Sequence, residues 1–132
     1  MIIDGKPATI NKDIKTVYNF LIDFNNFKTL MPDQITNWKS DTDWCSFTIQ
    51  GMASIKLTFG DKIPHSSIKL VPVGKVPFSF GLNIELSDQG ASTVAKVVVD
   101  ANINPMMAMI AKRPLENLVN VMAGNINDAI GK

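Results

Sequence analysis

The sequence predicts an α+β fold in which an antiparallel sheet packs on one long C-terminal helix. From about residue 34 the apolar residues recur at every second position, which is typical of strands with one buried face. After Asn104 they recur every three or four positions, which indicates a helix with one apolar stripe. Consecutive strands joined by short turns are antiparallel neighbours, so we expect a meander whose apolar face the helix covers.

The first third of the chain is expected to hold a strand and two short helices. Residues 1–10 predict the first strand, and Asn11 offers a side-chain cap for the helix that follows. An apolar stripe runs through 14–21, as in a short amphipathic helix. A second short helix over 27–31 ends before Pro32, because proline disfavours a helical residue ahead of it.

The central part of the chain predicts the strands of the meander, separated by turns. Gly60-Asp61 is one of these predicted turns. The alternating segments are 44–50, 53–59, 67–70, 76–86 and 93–103. In the predicted C-terminal helix, Asn104 is the cap and Pro105 the first residue, while Pro114 should kink the helix from within.

Length and composition are those of a single domain spanning residues 1–132. Of the 132 residues, 45% are hydrophobic and 19% are charged, which excludes a disordered or fibrous chain. The net charge is +1 and Arg113 is the only arginine, so a nucleic-acid partner is not expected. The one cysteine, Cys45, excludes an intrachain disulfide and a thiolate zinc cluster. We expect no metal and no cofactor.

The start of the sequence and its hydropathy predict a cytoplasmic protein. Asp4 and Lys6 interrupt the first residues before an apolar leader can form. No stretch approaches the length of a transmembrane helix, so stable membrane insertion is not expected. The scattered lysines do not indicate electrostatic docking on an anionic membrane either.

The order of these elements resembles the helix-grip fold of the START/polyketide-cyclase-like superfamily, often abbreviated SRPBCC. The resemblance extends over essentially the whole chain. It is carried by the helix at 17–23, the Leu30-Met31-Pro32 stop, the strand pair meeting at Gly51-Met52-Ala53, and the Asn104-Pro105 helix start. It implies a curved sheet wrapped around the C-terminal helix, with two short helices between the first and second strands. It also implies a hydrophobic cavity between sheet and helix that holds lipids, sterols, polyketides or plant hormones.

Strand and helix parity map this implied cavity onto apolar residues of the chain. The predicted lining residues are Leu30, Met31, Phe47, Ile49, Ile55, Leu57, Phe59, Phe78, Phe80, Leu82, Met107, Ile110 and Ala111. The expected partner is therefore a small hydrophobic molecule.

No motif in the sequence indicates catalysis. His65 is the only histidine, which excludes a multi-histidine metal site, and Cys45 falls on an apolar strand face without a predicted base. Glu85 and Asp100 fall on the polar faces of their strands. We therefore hypothesise ligand binding without catalysis. Two alternatives stay open: a cyclase or dehydratase of the same superfamily, and an interaction module with a filled core. A homodimer is compatible with the second alternative but is not indicated.

Two features at the start of the C-terminal helix have two interpretations each. Met106, Met107 and Met109 either fill the core or let a pocket adapt to uneven ligands. Arg113 either binds an anionic head group at the cavity mouth or simply lies on the helix surface.

Overall fold

In the residues that the computed structural model describes, 1–76 and 78–130, eight strands form one antiparallel sheet and a long helix packs against its inner face. The strands are β1 (Ile2–Asp4), β2 (Ala8–Ile10), β3 (Ile35–Ser40), β4 (Trp44–Ile49), β5 (Ala53–Ile63), β6 (Ser67–Pro72), β7 (Ser79–Asp88) and β8 (Thr93–Asn102). The helices are α1 (Ile14–Leu21) and α2 (Pro105–Ile130), and two 3-10 turns span Phe24–Asn26 and Lys28–Leu30. The predicted α+β architecture is confirmed.

Strands β3 to β8 form the predicted meander, and the first strands close the sheet on β8. The strand order is β1-β8-β7-β6-β5-β4-β3, and β2 also pairs with β8. The strand expected over residues 1–10 is therefore two strands on one partner, with Ile2 opposite Asp100 and Ala8 opposite Ala95. Gly5 lies at the corner between them, where its N–H donates to the carbonyl oxygen of Val97 at 3.0 Å.

The predicted turn at Gly60-Asp61 is wrong, because β5 continues through it to Ile63. The pairing of β5 with β6 shifts register between Phe59 and Lys62, so the extra residues are absorbed as a bulge within the strand. The reversal comes after Ile63 instead, where His65 adopts a left-handed conformation with φ of 61°.

Strand β7 begins and ends later than the predicted segment 76–86. Ser87 and Asp88 still pair with β8, opposite Val94 and Thr93, so the strand runs two residues past its predicted end. Pro77, inside the predicted segment, lies outside the described residues.

The short helices differ in detail from the prediction, and α2 agrees with it in its cap and first residue. Asp13 rather than Asn11 caps α1, because its carboxylate accepts hydrogen bonds from the backbone N–H and hydroxyl of Thr16. The second helix expected over 27–31 is the 3-10 turn Lys28–Leu30, and the 3-10 turn Phe24–Asn26 precedes it. In α2 the side chain of Asn104 accepts a hydrogen bond from Met107 N at 2.9 Å, and Pro114 lies inside the helix.

Candidate functional site

The candidate site lies between the inner face of the sheet and α2. Because side chains alternate across a strand, one face of each strand of the meander points inward. Phe47 and Ile49 of β4, Ile55 and Leu57 of β5, and Leu82 of β7 are all buried on this face. The inner face is therefore a continuous apolar surface.

Helix α2 covers this surface with residues spaced three or four positions apart. Ala111, Leu115, Leu118, Met122 and Ile126 are buried along one side of the helix. This spacing places them on one stripe facing the sheet, as an amphipathic helix requires.

From Pro114 onward, α2 is tied to both of its neighbours by hydrogen bonds. On one side, Asn120 and Asn127 accept hydrogen bonds from the backbone of the N-terminal segment. On the other side, the helix bonds to Leu30, the last residue of the second 3-10 turn, and to Gln34, just before β3. The bonds are Lys6 N to Asn120 Oδ1 (2.8 Å), Asn11 N to Asn127 Oδ1 (2.8 Å), Asn117 Nδ2 to Gln34 Oε1 (2.6 Å), Asn125 Nδ2 to Leu30 O (3.2 Å) and Gln34 Nε2 to Pro114 O (3.0 Å). This part of the helix is fixed in place.

Residues 105–113, which we name the α2 start, differ from the rest of the helix. Within the described part of the chain, they make no side-chain hydrogen bond to the sheet or to the 3-10 turns. Pro114 has no N–H, so the carbonyl of Ile110 lacks its usual helical donor. The α2 start therefore joins the tied part of the helix at a weakened point.

Most of the predicted lining residues belong to the buried core between sheet and helix or pack against it. Those buried there are Leu30, Phe47, Ile49, Ile55, Leu57, Phe78, Leu82 and Ala111, and those packed against them at partial exposure are Met31, Phe59, Phe80 and Met107. Ile110 is different, because it is exposed on the outward side of α2. The helical parity assigned to Ile110 was wrong, since its neighbour Ala111 is the residue that faces the sheet.

Side chains fill the interior in this structure. The ring of Phe24 stacks on Phe59 with centroids 4.1 Å apart, and Trp38 stacks on Phe47 at 5.6 Å. Any molecule that binds between sheet and helix must therefore displace side chains or shift the helix.

Comparison with known proteins identifies this architecture. No family model matches the sequence, and no curated protein sequence matches it. Solved structures do match over nearly the whole chain. A START superfamily protein from Mycobacterium smegmatis superposes with a TM-score of 0.69 at 14% identity, covering 98% of this chain and 97% of that one. The chain has the START fold.

Two further structures show the same START fold. The KanY protein superposes with a TM-score of 0.79 at 11% identity, covering 100% of this chain and 98% of its own. A norcoclaurine synthase point mutant from Thalictrum flavum, in complex with a transition-state analogue, has a TM-score of 0.70 at 14% identity, with 98% and 93% covered. At such low identities the likeness establishes the fold alone.

The inner face of this START fold carries few polar groups. Thr93 is the one buried polar residue among those described, and its hydroxyl donates to the carbonyl of Lys12 at 2.9 Å. Burial raises the pKa of Cys45 to about 12, so its thiol stays protonated at neutral pH. The ring of Tyr18 is buried edge-on against His65, with centroids 5.6 Å apart. Across residues 1–76 and 78–130, no three His, Cys, Asp or Glu side chains lie close enough to hold a metal ion.

A groove on the outer face of the START sheet was not predicted. It encloses about 620 Å³, and residues of five strands line it, including Lys69, Gly81, Val98 and Asp100. Gly81 leaves β7 without a side chain near its start, and the bulge in β5, a feature that bends a strand, contributes Asp61 to the same groove. In the sequence, Gly81 was the residue that could have indicated the groove. It was missed because it occupies a polar-face position in the alternating pattern of β7, where it does not stand out.

Proposed function

We propose that the protein binds a small hydrophobic molecule, a lipid or a polyketide-like compound, between the sheet and α2. In this proposal, residues 1–132 form a single START-like domain that acts in the cytoplasm. A buried, free Cys45 suits a reducing compartment. The norcoclaurine synthase structure, which holds a transition-state analogue, supports the idea that the fold accommodates a small organic molecule.

The apolar inner face is the observation that carries the proposal. Removing apolar surface from water contributes about 25 cal/mol per Å², and the inner face offers such surface on each strand from β4 to β8. The hydroxyl of Thr93 already has an internal partner, so a ligand would leave no polar group unpaired there. A polar ligand would find few hydrogen-bond partners on this face.

Ligand access, in this proposal, uses the α2 start. Because this segment is untied before Pro114, it can move away from the sheet while the rest of α2 stays fixed. Phe80 and Met107 lie partly exposed at this end of the molecule. Their partial exposure suits the rim of an opening, and methionine adapts readily to ligand shape.

The first test identifies what the protein carries. Freshly purified protein is measured by native mass spectrometry, and bound molecules are then extracted and identified. We expect a co-purifying lipid or polyketide-like mass. If the protein is free of ligand and also fails to bind added oleate or 1-anilinonaphthalene-8-sulfonate, the interior is a filled core and the proposal is wrong.

The second test locates the binding site with a pair of matched variants. Phe80→Trp adds bulk at the rim of the proposed opening and should weaken binding of the same probes about tenfold, since overpacking a binding space costs about 1–3 kcal/mol. Phe20→Trp makes the same change at a partly exposed residue of α1 and should leave binding unchanged. Equal effects of the two substitutions would place the probe elsewhere.

A further inference from the structure

An exposed apolar patch lies on the outward side of the α2 start. Met106, Met109 and Ile110 expose 76%, 84% and 56% of their surfaces. Their spacing of three and four residues puts them on one face of the helix, as direct neighbours. We name these three residues the apolar patch. Contiguous exposed apolar surface of this kind marks an interaction site on most proteins.

The pattern of the helix shows that the patch is not simply part of the core stripe. From Pro105 to Ala111 every residue is apolar, on the outward side as well as the inward side. From Arg113 onward the outward face turns polar, with Asn117 and Asn120 exposed in turn. A helix segment that is apolar all round is normally covered on all sides. Here one side faces water, so the segment is built to be covered by a partner.

Other apolar side chains lie at the same end of the sheet. The start of α2 follows the end of β8, beside the start of β7 and the end of β6, because these strands are antiparallel. Val73, just after β6, is exposed, and Met52, just before β5, is half-buried. The patch is therefore the most exposed part of a wider apolar end.

The charge next to the patch is positive. Arg113 lies one turn further along the same helix face, whereas the adjacent Lys112 is paired with Glu116 at 3.9 Å. No acidic residue occurs between Asp100 and Glu116, and the amino end of a helix carries a partial positive charge. The patch thus suits a partner with an apolar interior and an anionic surface.

We propose that the α2 start docks on the surface of an anionic lipid bilayer. The apolar patch enters the boundary between head groups and acyl chains, while Arg113, beside it on the same helix face, meets lipid phosphates. The docking depends on this local arrangement and not on the lysines of the whole chain, which are scattered. No helix of the described residues has the length and hydropathy to cross a membrane. The docking is peripheral and reversible, and it does not depend on whether the interior of the protein binds a ligand.

A second copy of the chain is the competing partner, and two observations disfavour it. A stable interface takes about 20–30 residues a side, whereas the patch offers three. In addition, two α2 starts packed antiparallel across a two-fold axis would bring Arg113 of each copy towards the positive helix end of the other.

Vesicle co-sedimentation with matched variants tests the docking. We expect binding to phosphatidylcholine vesicles containing about 30% phosphatidylserine, weak binding to pure phosphatidylcholine, and loss of binding at high salt. Ile110→Gln should reduce binding about tenfold, the loss expected when one aliphatic side chain no longer leaves water. Ile63→Gln is the control, because Ile63 is 54% exposed, about as much as Ile110 at 56%. Ile63 is the last residue of β5, at the end of the sheet away from the apolar patch. Arg113→Gln should weaken binding and flatten its salt dependence.

Each other outcome contradicts the proposal. Absence of binding to anionic vesicles, or equal losses from Ile110→Gln and Ile63→Gln, would show that the patch does not dock on lipid. Concentration-dependent dimerisation that Ile110→Gln abolishes, without vesicle binding, would assign the patch to a second copy. Both substitutions are at exposed positions, and thermal unfolding of each variant verifies that the fold is intact.

Discussion

Burial of Cys45 on the inner face makes the stability of the fold depend on pH. Its side chain lies on β4 within the buried core, and burial raises the pKa of the thiol from 9.0 to about 12. The unfolded chain releases this proton near pH 9, whereas the folded chain retains it. Between these values the unfolded state binds fewer protons, so the stability of the fold decreases as pH rises.

We predict that wild-type protein loses stability relative to Cys45→Ala as pH rises above about 9, with a slope approaching 1.4 kcal/mol per pH unit. The substitution removes the titrating group, so its packing cost appears as an offset that does not vary with pH. Urea unfolding of both proteins from neutral pH to about pH 11 measures the difference. A difference that stays constant over this range would show that the thiol ionises readily in the folded state.

Two glycines predict opposite responses to the same substitution. A Cβ on Gly5 would lie 2.5 Å from the carbonyl oxygen of Val97, a backbone atom that cannot easily move. Gly5→Ala should therefore cost about 2 kcal/mol of unfolding free energy. A Cβ on Gly124, in α2, would meet no described atom within 4 Å outside its own stretch of helix, so Gly124→Ala should add about 1 kcal/mol through helix propensity. Thermal denaturation measures both, and a tolerated Gly5→Ala would mean that β1 shifts freely on β8.

At the scale of elements, α2 consists of a tied part and an untied start, and this division predicts its dynamics. Asn104→Ala removes the cap of the α2 start at a cost of about 1 kcal/mol and should speed amide exchange there. Pro114→Ala restores a backbone donor for the carbonyl of Ile110 and should slow it.

Hydrogen exchange read by mass spectrometry on peptides covering 105–113 tests both variants against the wild type. Peptides from β7 and β8 serve as the internal control, because neither substitution touches the sheet. Unchanged exchange in the α2 start would mean that Pro114 does not divide the helix, and the access route proposed for the ligand would lose its support.

The sequence predicted the elements whose pattern is local and repeated. The alternation in β4 and β8 follows directly from which face of each strand is buried, and so does the three-to-four spacing in α2. These elements were therefore placed correctly. Gly60-Asp61 has turn chemistry but lies in a bulge, because pairing with β6 outweighs the local preference. The cap of α1 was misplaced by two residues, because the helix begins at Ile14 and the carboxylate of Asp13, directly ahead of it, accepts the hydrogen bonds from Thr16.

The predicted site combines a local success with a limit of local reasoning. Parity placed Phe47, Leu57 and Leu82 on the inner face, where the structure has them. Exposure of Ile110 follows from the helical spacing, because the buried stripe through Ala111 and Leu115 leaves it on the outward side; its apolar character alone had indicated burial. The outer groove was also missed, since it depends on how five strands curve together, which no single strand records.

At the scale of the whole molecule, the pairing of the first strands with β8 has a consequence for the order of folding. The strands from β3 to β8 pair with partners next to them in sequence, whereas Ile2 pairs with Asp100. During synthesis at about 5–20 residues per second, the first ten residues wait several seconds for their partner strand to be made. The amino-terminal segment is therefore the last piece of the sheet to find its place, although the ribosome makes it first.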